Sequence, residues 1–249
     1  MPLWMTAFAF GLLGGAALVI GCAVAWKWTL PAKVVSTIMA FGAGVLISAL
    51  AFELVDEAVN TGGIGATIIG FLVGAGLFVG ANALLARNGA KHRKRSGDQQ
   101  PTEGQNPGSG TAIAVGALLD GIPESLVLGL GLVGGGTVSP AMLGAVFISN
   151  VPEGLSSTAG MKKAGRSGRY VFGVWSGIAV LSGISALVGY LALQDARPET
   201  VAFINALAAG AILAMIADTM IPEAFETHHL LTGFTAALGF ATALVLEGL

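Results

Sequence analysis

The chain has 249 residues, of which 54% are hydrophobic and 10% charged, with a formal net charge of −2 and a mean hydropathy of +0.80. An ordinary soluble domain carries about a quarter charged residues, so this composition excludes one and predicts an integral membrane protein. A hydrocarbon core about 30 Å thick needs roughly 20 apolar residues per helix, and the polar interruptions divide the chain into eight such runs. A transmembrane barrel is excluded because its strands alternate over about ten residues, whereas these runs are continuously apolar. The expected fold is therefore all-α, with eight transmembrane helices.

The first run, residues 3–26, opens MPLWMTAFAFGLLGG. It lacks a basic start and is too long for the apolar core of a signal peptide, so it reads as a helix. The single cysteine, Cys22, lies inside it, which leaves no disulfide framework and points to a small packing residue. The second run, 33–56, closes on Glu53, Asp56 and Glu57, either a solvated helix end or an outer entrance that gathers cations. The third run covers 61–86.

Residues 87–110 include KHRKRSGDQQPTEGQNPGSG, which reads as a disordered, solvated connection rather than a nucleic-acid-binding arm. His92 there reads as incidental. The remaining runs are 111–133, 138–161, 170–193, 200–221 and 230–248. Basic residues set the orientation. Lys27 and Lys33 lie in the first connection, Arg87, Lys91, Arg93, Lys94 and Arg95 in the third, and Lys162, Lys163, Arg166 and Arg169 in the fifth. Only Arg197 falls on the other side. This asymmetry predicts a multi-pass protein of the cytoplasmic (inner) membrane with those connections inside and both termini outside.

The organisation reads as 3+2+3: a first three-helix repeat at 1–86, the 87–110 loop, a central helix pair at 111–161, and a second three-helix repeat at 162–249. Three helices that begin outside and three that begin inside form the pattern of inverted-repeat transporters, whose sites lie near the bilayer midplane. Glycine pairs such as Gly70/Gly74 and Gly173/Gly177 read as close helix packing.

The acids are the unusual feature. Asp120, Glu124 and Glu153 lie well inside the fourth and fifth runs, where a charged side chain costs roughly 2.5 to 3.5 kcal/mol on insertion scales. Such groups are by default functional, although a protonated carboxyl can also act as interhelical glue. Each run also holds a proline. Pro123 removes the hydrogen bond to the Leu119 carbonyl and Pro152 that to Ile148. Asp120 and Glu124 share a helix face, as do Ser149 and Glu153, with Asn150 three residues from Glu153. Both clusters fall near mid-membrane, and an oxygen-rich, anionic, buried site of this kind suits a cation.

The paired segments DGIPES and SNVPEG resemble the metal-binding signature of the ZIP (Zrt/Irt-like) family of divalent-metal transporters, and DTMIPEAFETHH at 218–229 is similar to a segment of bacterial members. The resemblance spans nearly the whole chain. It implies uptake of a divalent ion toward the cytoplasm by alternating access, with Glu124 and Glu153 as ligand glutamates and Asp120, Ser149 and Asn150 at the motif's other polar positions. Asp120 and Gly121 stand where the family usually has histidine and asparagine, and the sixth run has no acid to bridge a second metal. The expected substrate is zinc, with Mn, Fe, Cd or Co open because imidazole is absent. No resident cofactor is expected. The lipid bilayer is a partner, nucleic acid is not, and a homodimer stays open.

Asp218, Glu223, Glu226, His228 and His229 read as a cytoplasmic exit. A carboxylate-lined cation channel is the alternative. An intramembrane aspartyl protease using Asp120 and Asp218 is a weaker one, since neither aspartate follows Gly-x-Gly. The chain is not expected to be an enzyme.

Overall fold

The computed structural model describes residues 1–226 and 230–247. Among the described residues all regular structure is helical. Helix α1 spans Leu3–Lys27, α2 Ala32–Ala49, α3 Asp56–Ala86, α4 Ser109–Leu130, α5 Pro140–Lys163, α6 Gly168–Leu193, α7 Pro198–Met215, α8 Ile221–Ala224 and α9 Thr232–Glu247. Among the described residues, five stretches are long and apolar enough to cross a membrane: Leu3–Lys27, Ala32–Ala86, Ser109–Leu130, Gly168–Leu193 and Pro198–Ala224. Helix α5 is long enough but diluted by Ser149, Asn150, Glu153, Ser156, Ser157 and Thr158. Helix α9 is apolar but only 16 residues long.

Several helix starts follow from local chemistry. Pro140 and Pro198 occupy the first turn of α5 and α7, where a missing N–H costs nothing. Ser139 caps α5, its Oγ accepting from Ala141 N and Met142 N. Helices α4 and α5 each run on through their internal prolines, Pro123 and Pro152.

The second and third runs differ from expectation. Instead of turning just after Asp56, the chain stays helical through a π turn at Leu50–Val55 and breaks at Gly63, whose φ of 78° and ψ of 158° suit only glycine. Gly62 approaches Ala202 at the head of α7, after which Gly70 meets Phe203 and Ala206 and Gly74 meets Leu207. The second part of α3 therefore runs parallel to α7. A second π turn, Ile216–Met220, joins α7 to α8.

Close helix crossings rest on glycine. A methyl group on Gly74 would overlap the Leu207 carbonyl, and one on Gly210 that of Phe71. The same reciprocal arrangement joins α2 to α9, Gly44 against Ala236 and Gly239 against Phe41. Gly173 and Gly177, by contrast, face open space. Helix α1 runs antiparallel to α6, with Phe8 against Gly183 and Trp26 against Gly168, and parallel to α5, with Gly14 near Val146 and Leu18 near Gly154. Helix α4 lies parallel along α6.

The larger core cluster includes Met39, Leu46, Leu128, Met142, Ile212, Met215 and Met220, and a second gathers Leu18, Cys22, Ile113, Met161 and Trp175. Ile64, Ile68, Leu72 and Leu77 of α3 and Val188 and Leu191 of α6 are exposed. An outward-facing apolar surface of that kind fits a membrane-embedded protein.

The 87–110 connection is not a solvated loop. Gly89 and Gly108 take positive φ on either side of it, Ala90–His92 forms a short 3-10 turn, and Arg93, Lys94, Ser96 and Gln100 are buried. Arg166 ties its far end down by donating to Glu103, the Pro101 carbonyl and Ser109 Oγ. Its polar composition gives it no apolar core of its own, but the acids inside the helices supply the partners that its cations need.

Candidate functional site

Asp120 lies eleven residues into α4, about 16 Å along the helix from Ser109, and is 1% exposed. Arg93 grips it from the connection with two bonds, Nε to Oδ2 at 2.8 Å and Nη2 to Oδ1 at 2.6 Å. Burial alone would pull the Arg93 guanidinium down, but the Asp120 carboxylate outweighs this and holds it above its ordinary value. Arg93 Nη1 also donates to Asn82 Oδ1 at 2.7 Å, and Asn82 Nδ2 donates to Asp218 at 3.0 Å. The two aspartates that a protease would pair are thus separated by Asn82 and Arg93.

Lys94 bridges the helices. Its Nζ lies 2.7 Å from Glu153 Oε2 on α5 and 3.4 Å from Asp120 Oδ2 on α4, and donates to Met215 Sδ at 3.3 Å. Helices α4 and α5 do not pack face to face as a pair; α4 leans on α6, α5 leans on α1 and α2, and the Lys94 ammonium spans the space between their carboxylates.

Glu124, one turn beyond Asp120, lies within electrostatic reach of Glu153, Lys94 and Asp120. It is 1% exposed, yet neither of its oxygens has a hydrogen-bond partner, and Glu153 Oε1 is also unpartnered. Three orphaned carboxylate oxygens at the centre of a helical protein are an unmet demand for positive charge or protons.

The predicted ligand set therefore divides. Asp120 and Glu153 share the Lys94 ammonium, and Glu124 lies within electrostatic reach of both. Ser149 turns back to donate to the Val146 carbonyl of its own helix, and Asn150 Nδ2 donates to the Gly14 carbonyl, fastening α5 to α1. Among the described residues, no three His, Cys, Asp or Glu side chains form a group that could hold a metal ion. The donor set here is carboxylate and already partly neutralised by Arg93 and Lys94.

The predicted exit is engaged with the same connection. Glu223, fully buried, accepts from Ser96 N and Oγ, with Ser156 Oγ 3.1 Å away, and Glu226 pairs with Arg95 at 2.5 Å and accepts from Gln99 at 2.6 Å. Asp218 borders a cavity of about 380 Å³ with Asn82, Lys91, His92, Lys94 and Arg95. His228 and His229 lie outside the described residues.

At the other end of α4, Glu53 accepts from Ser139 Oγ at 2.9 Å and Glu57 from Asn205 Nδ2 at 3.2 Å, and these four line a cavity of about 250 Å³ with Val127 and Met142 among its wall residues. Asp56 is not part of it; it accepts from Asn60 on the same helix.

The residues that sequence reasoning missed are Arg93, Lys94, Asn82, Ser96, Gln100 and Ser156. One signal pointed to the first two: three acids inside helices that have no base near mid-helix must find their cations in a connection. Comparison with protein-family models and with curated proteins returns no match. The likeness to the ZIP family thus rests on the motif residues themselves.

Proposed function

We propose that the protein carries a divalent cation across the cytoplasmic membrane toward the cytoplasm by alternating access, taking the ion up on Glu124 and Glu153. The observation that carries this reading is the set of buried carboxylate oxygens without partners on Glu124 and Glu153, beside a site that already holds a positive charge. A cation held there would supply the positive charge that those oxygens lack.

Eight crossings in a 3+2+3 inverted repeat is the arrangement that best accounts for the packing. The α3/α7 and α2/α9 crossings use the same reciprocal glycine contacts, and the π turns follow α2 and α7, the middle helices of the two triplets. Exchanging the triplets maps each crossing onto the other and the α1/α5 contact onto α6/α4. Two such halves moving against each other around a fixed site is the ordinary route to alternating access.

Oxygen donors without imidazole suit Mn or another hard ion as well as zinc. The experiment is uptake of Zn, Mn, Fe, Cd, Co and Mg into liposomes by the purified protein, with Glu124→Ala and Glu153→Ala beside it. Saturable uptake of at least one ion is expected, abolished in both variants. Unchanged uptake by both would remove Glu124 and Glu153 from the site, and linear, non-saturating flux would favour a channel.

A further inference from the structure

Two cations of the protein's own stand beside the oxygens that a transported ion would take. Lys94 touches Glu153 and Asp120, and Arg93 holds Asp120 with both ends of its fork. They do not rest there by charge alone. Gln100 Nε2 has the Arg93 carbonyl at 2.9 Å, the Ser157 carbonyl of α5 at 3.1 Å and the Arg95 carbonyl at 3.2 Å as acceptors for its two hydrogens. Ser156 Oγ donates to the Lys94 carbonyl at 2.5 Å, and Ser96 donates to the buried Glu223. The backbone on both sides of Lys94 is therefore seated on α5 and α8.

From this geometry we infer that residues 93–96 are a tethered cation plug. Lys94 and Arg93 neutralise the carboxylates next to the oxygens the transported ion would take, block the path on the side of the α3–α4 connection, and must withdraw for the ion to pass. The inference rests on the transporter reading above.

The physical argument is competition for the same buried negative charge: Lys94 lies on Glu153 Oε2 and Asp120, and the ion would take Glu153 Oε1 and Glu124 beside it. Carboxylates left bare in a helical interior are costly, and two tethered cations offset that cost without any ion bound. A tethered group acts at a high effective concentration, in the millimolar range for short flexible links, so an incoming ion has to outcompete it. A divalent ion brings two charges to a single point, whereas Lys94 brings one and shares it between two carboxylates. The coupling is reciprocal: whatever affinity the plug takes from the ion, the ion takes from the plug. Withdrawal has somewhere to go, because Lys94 also borders the 380 Å³ cavity formed with Asn82, Lys91, Asp218 and Thr219.

The test uses the full chain in liposomes with Mn²⁺ and, separately, Zn²⁺. Wild type, the Arg93→Gln/Lys94→Gln double variant and Glu124→Ala are compared for uptake. The double variant is expected to take up ion faster, by a factor within the roughly 5- to 150-fold range of a typical coupling; equal or slower uptake by a folded double variant overturns the plug. Should that variant fail to fold, wild-type protein decides the matter through acetylation of Lys94 by an amine-reactive reagent, read by mass spectrometry against exposed Lys91. Saturating Mn²⁺ is expected to speed Lys94 labelling and leave Lys91 unchanged. Transport by wild type, lost in Glu124→Ala, together with Lys94 labelling that ignores Mn²⁺, overturns the plug and leaves the transporter standing. Transport of neither ion by wild type or the double variant overturns both.

Discussion

The Lys94 ammonium lies 2.7 Å from Glu153 Oε2, a contact between a connection residue and a mid-helix carboxylate, with both side chains about 5% exposed. Removing one partner of a buried ion pair costs about 3–5 kcal/mol, because the other charge is stranded, whereas removing both costs far less. Lys94→Met is therefore expected to lower unfolding stability strongly in detergent micelles, and Lys94→Met/Glu153→Gln to recover most of the loss. A double-mutant cycle measures the coupling; additive losses would show that the pair contributes nothing.

Asn150 sits in the motif that suggests a ligand, and its Nδ2 donates to the Gly14 carbonyl of α1, a bond that fastens α5 and does not use the ligating oxygen Oδ1. Asn150→Ala should cost about 1–3 kcal/mol for the buried carbonyl left without its partner, while ion uptake per folded molecule stays near wild type. Loss of uptake with unchanged thermal stability would return Asn150 to the site.

The glycine crossings have an internal control. Gly74→Ala places a methyl group against the Leu207 carbonyl and should destabilise by about 1–3 kcal/mol as the helices part. Gly76 and Gly80, on the same helix, have nothing within 4 Å. Gly76→Ala should be neutral or slightly stabilising, by up to about 1 kcal/mol from helix propensity. Midpoints of thermal unfolding for the two variants should move in different directions.

Acid should loosen the α3–α4 connection at its exposed end. The hydrogen bond from Arg166, with backbone N–H groups of Gly108 and Gly110, holds the Glu103 carboxyl down at about 2, from an ordinary 4.5. A group whose folded pKa is depressed contributes stability above the unfolded value and loses it as pH falls through the folded one. The stability difference between wild type and Glu103→Gln should thus be complete above about pH 4.5 and vanish on approach to about pH 2. A difference that grows on acidification would mean that Arg166 is not its partner.

Legibility in the sequence was uneven for a physical reason. Helix runs were readable because the transfer of apolar residues from water adds up position by position along the chain. Their ends moved where a local backbone event intervened: the π turn at Leu50–Val55 carried the helix on until Gly63, which takes a φ of 78°. Asp120, Glu124 and Glu153 stood out because a charge inside an apolar run is expensive wherever the run packs. Ser149 and Asn150 were chosen by the same helical spacing, yet that spacing carries no information about whether a polar group faces its own backbone, α1 or the acids.

What the sequence determined by itself is the class, an all-helical membrane protein with three mid-helix carboxylates in need of compensation, because insertion cost depends on residue type and depth. What only the tertiary structure decided is the identity of the compensation. Arg93 reaches Asp120 across 27 positions of sequence, and a segment with the composition of a solvated loop is buried between α4 and α5. Ion pairing acts through space at a few ångströms, and no pattern along the chain reports which charges will be brought that close.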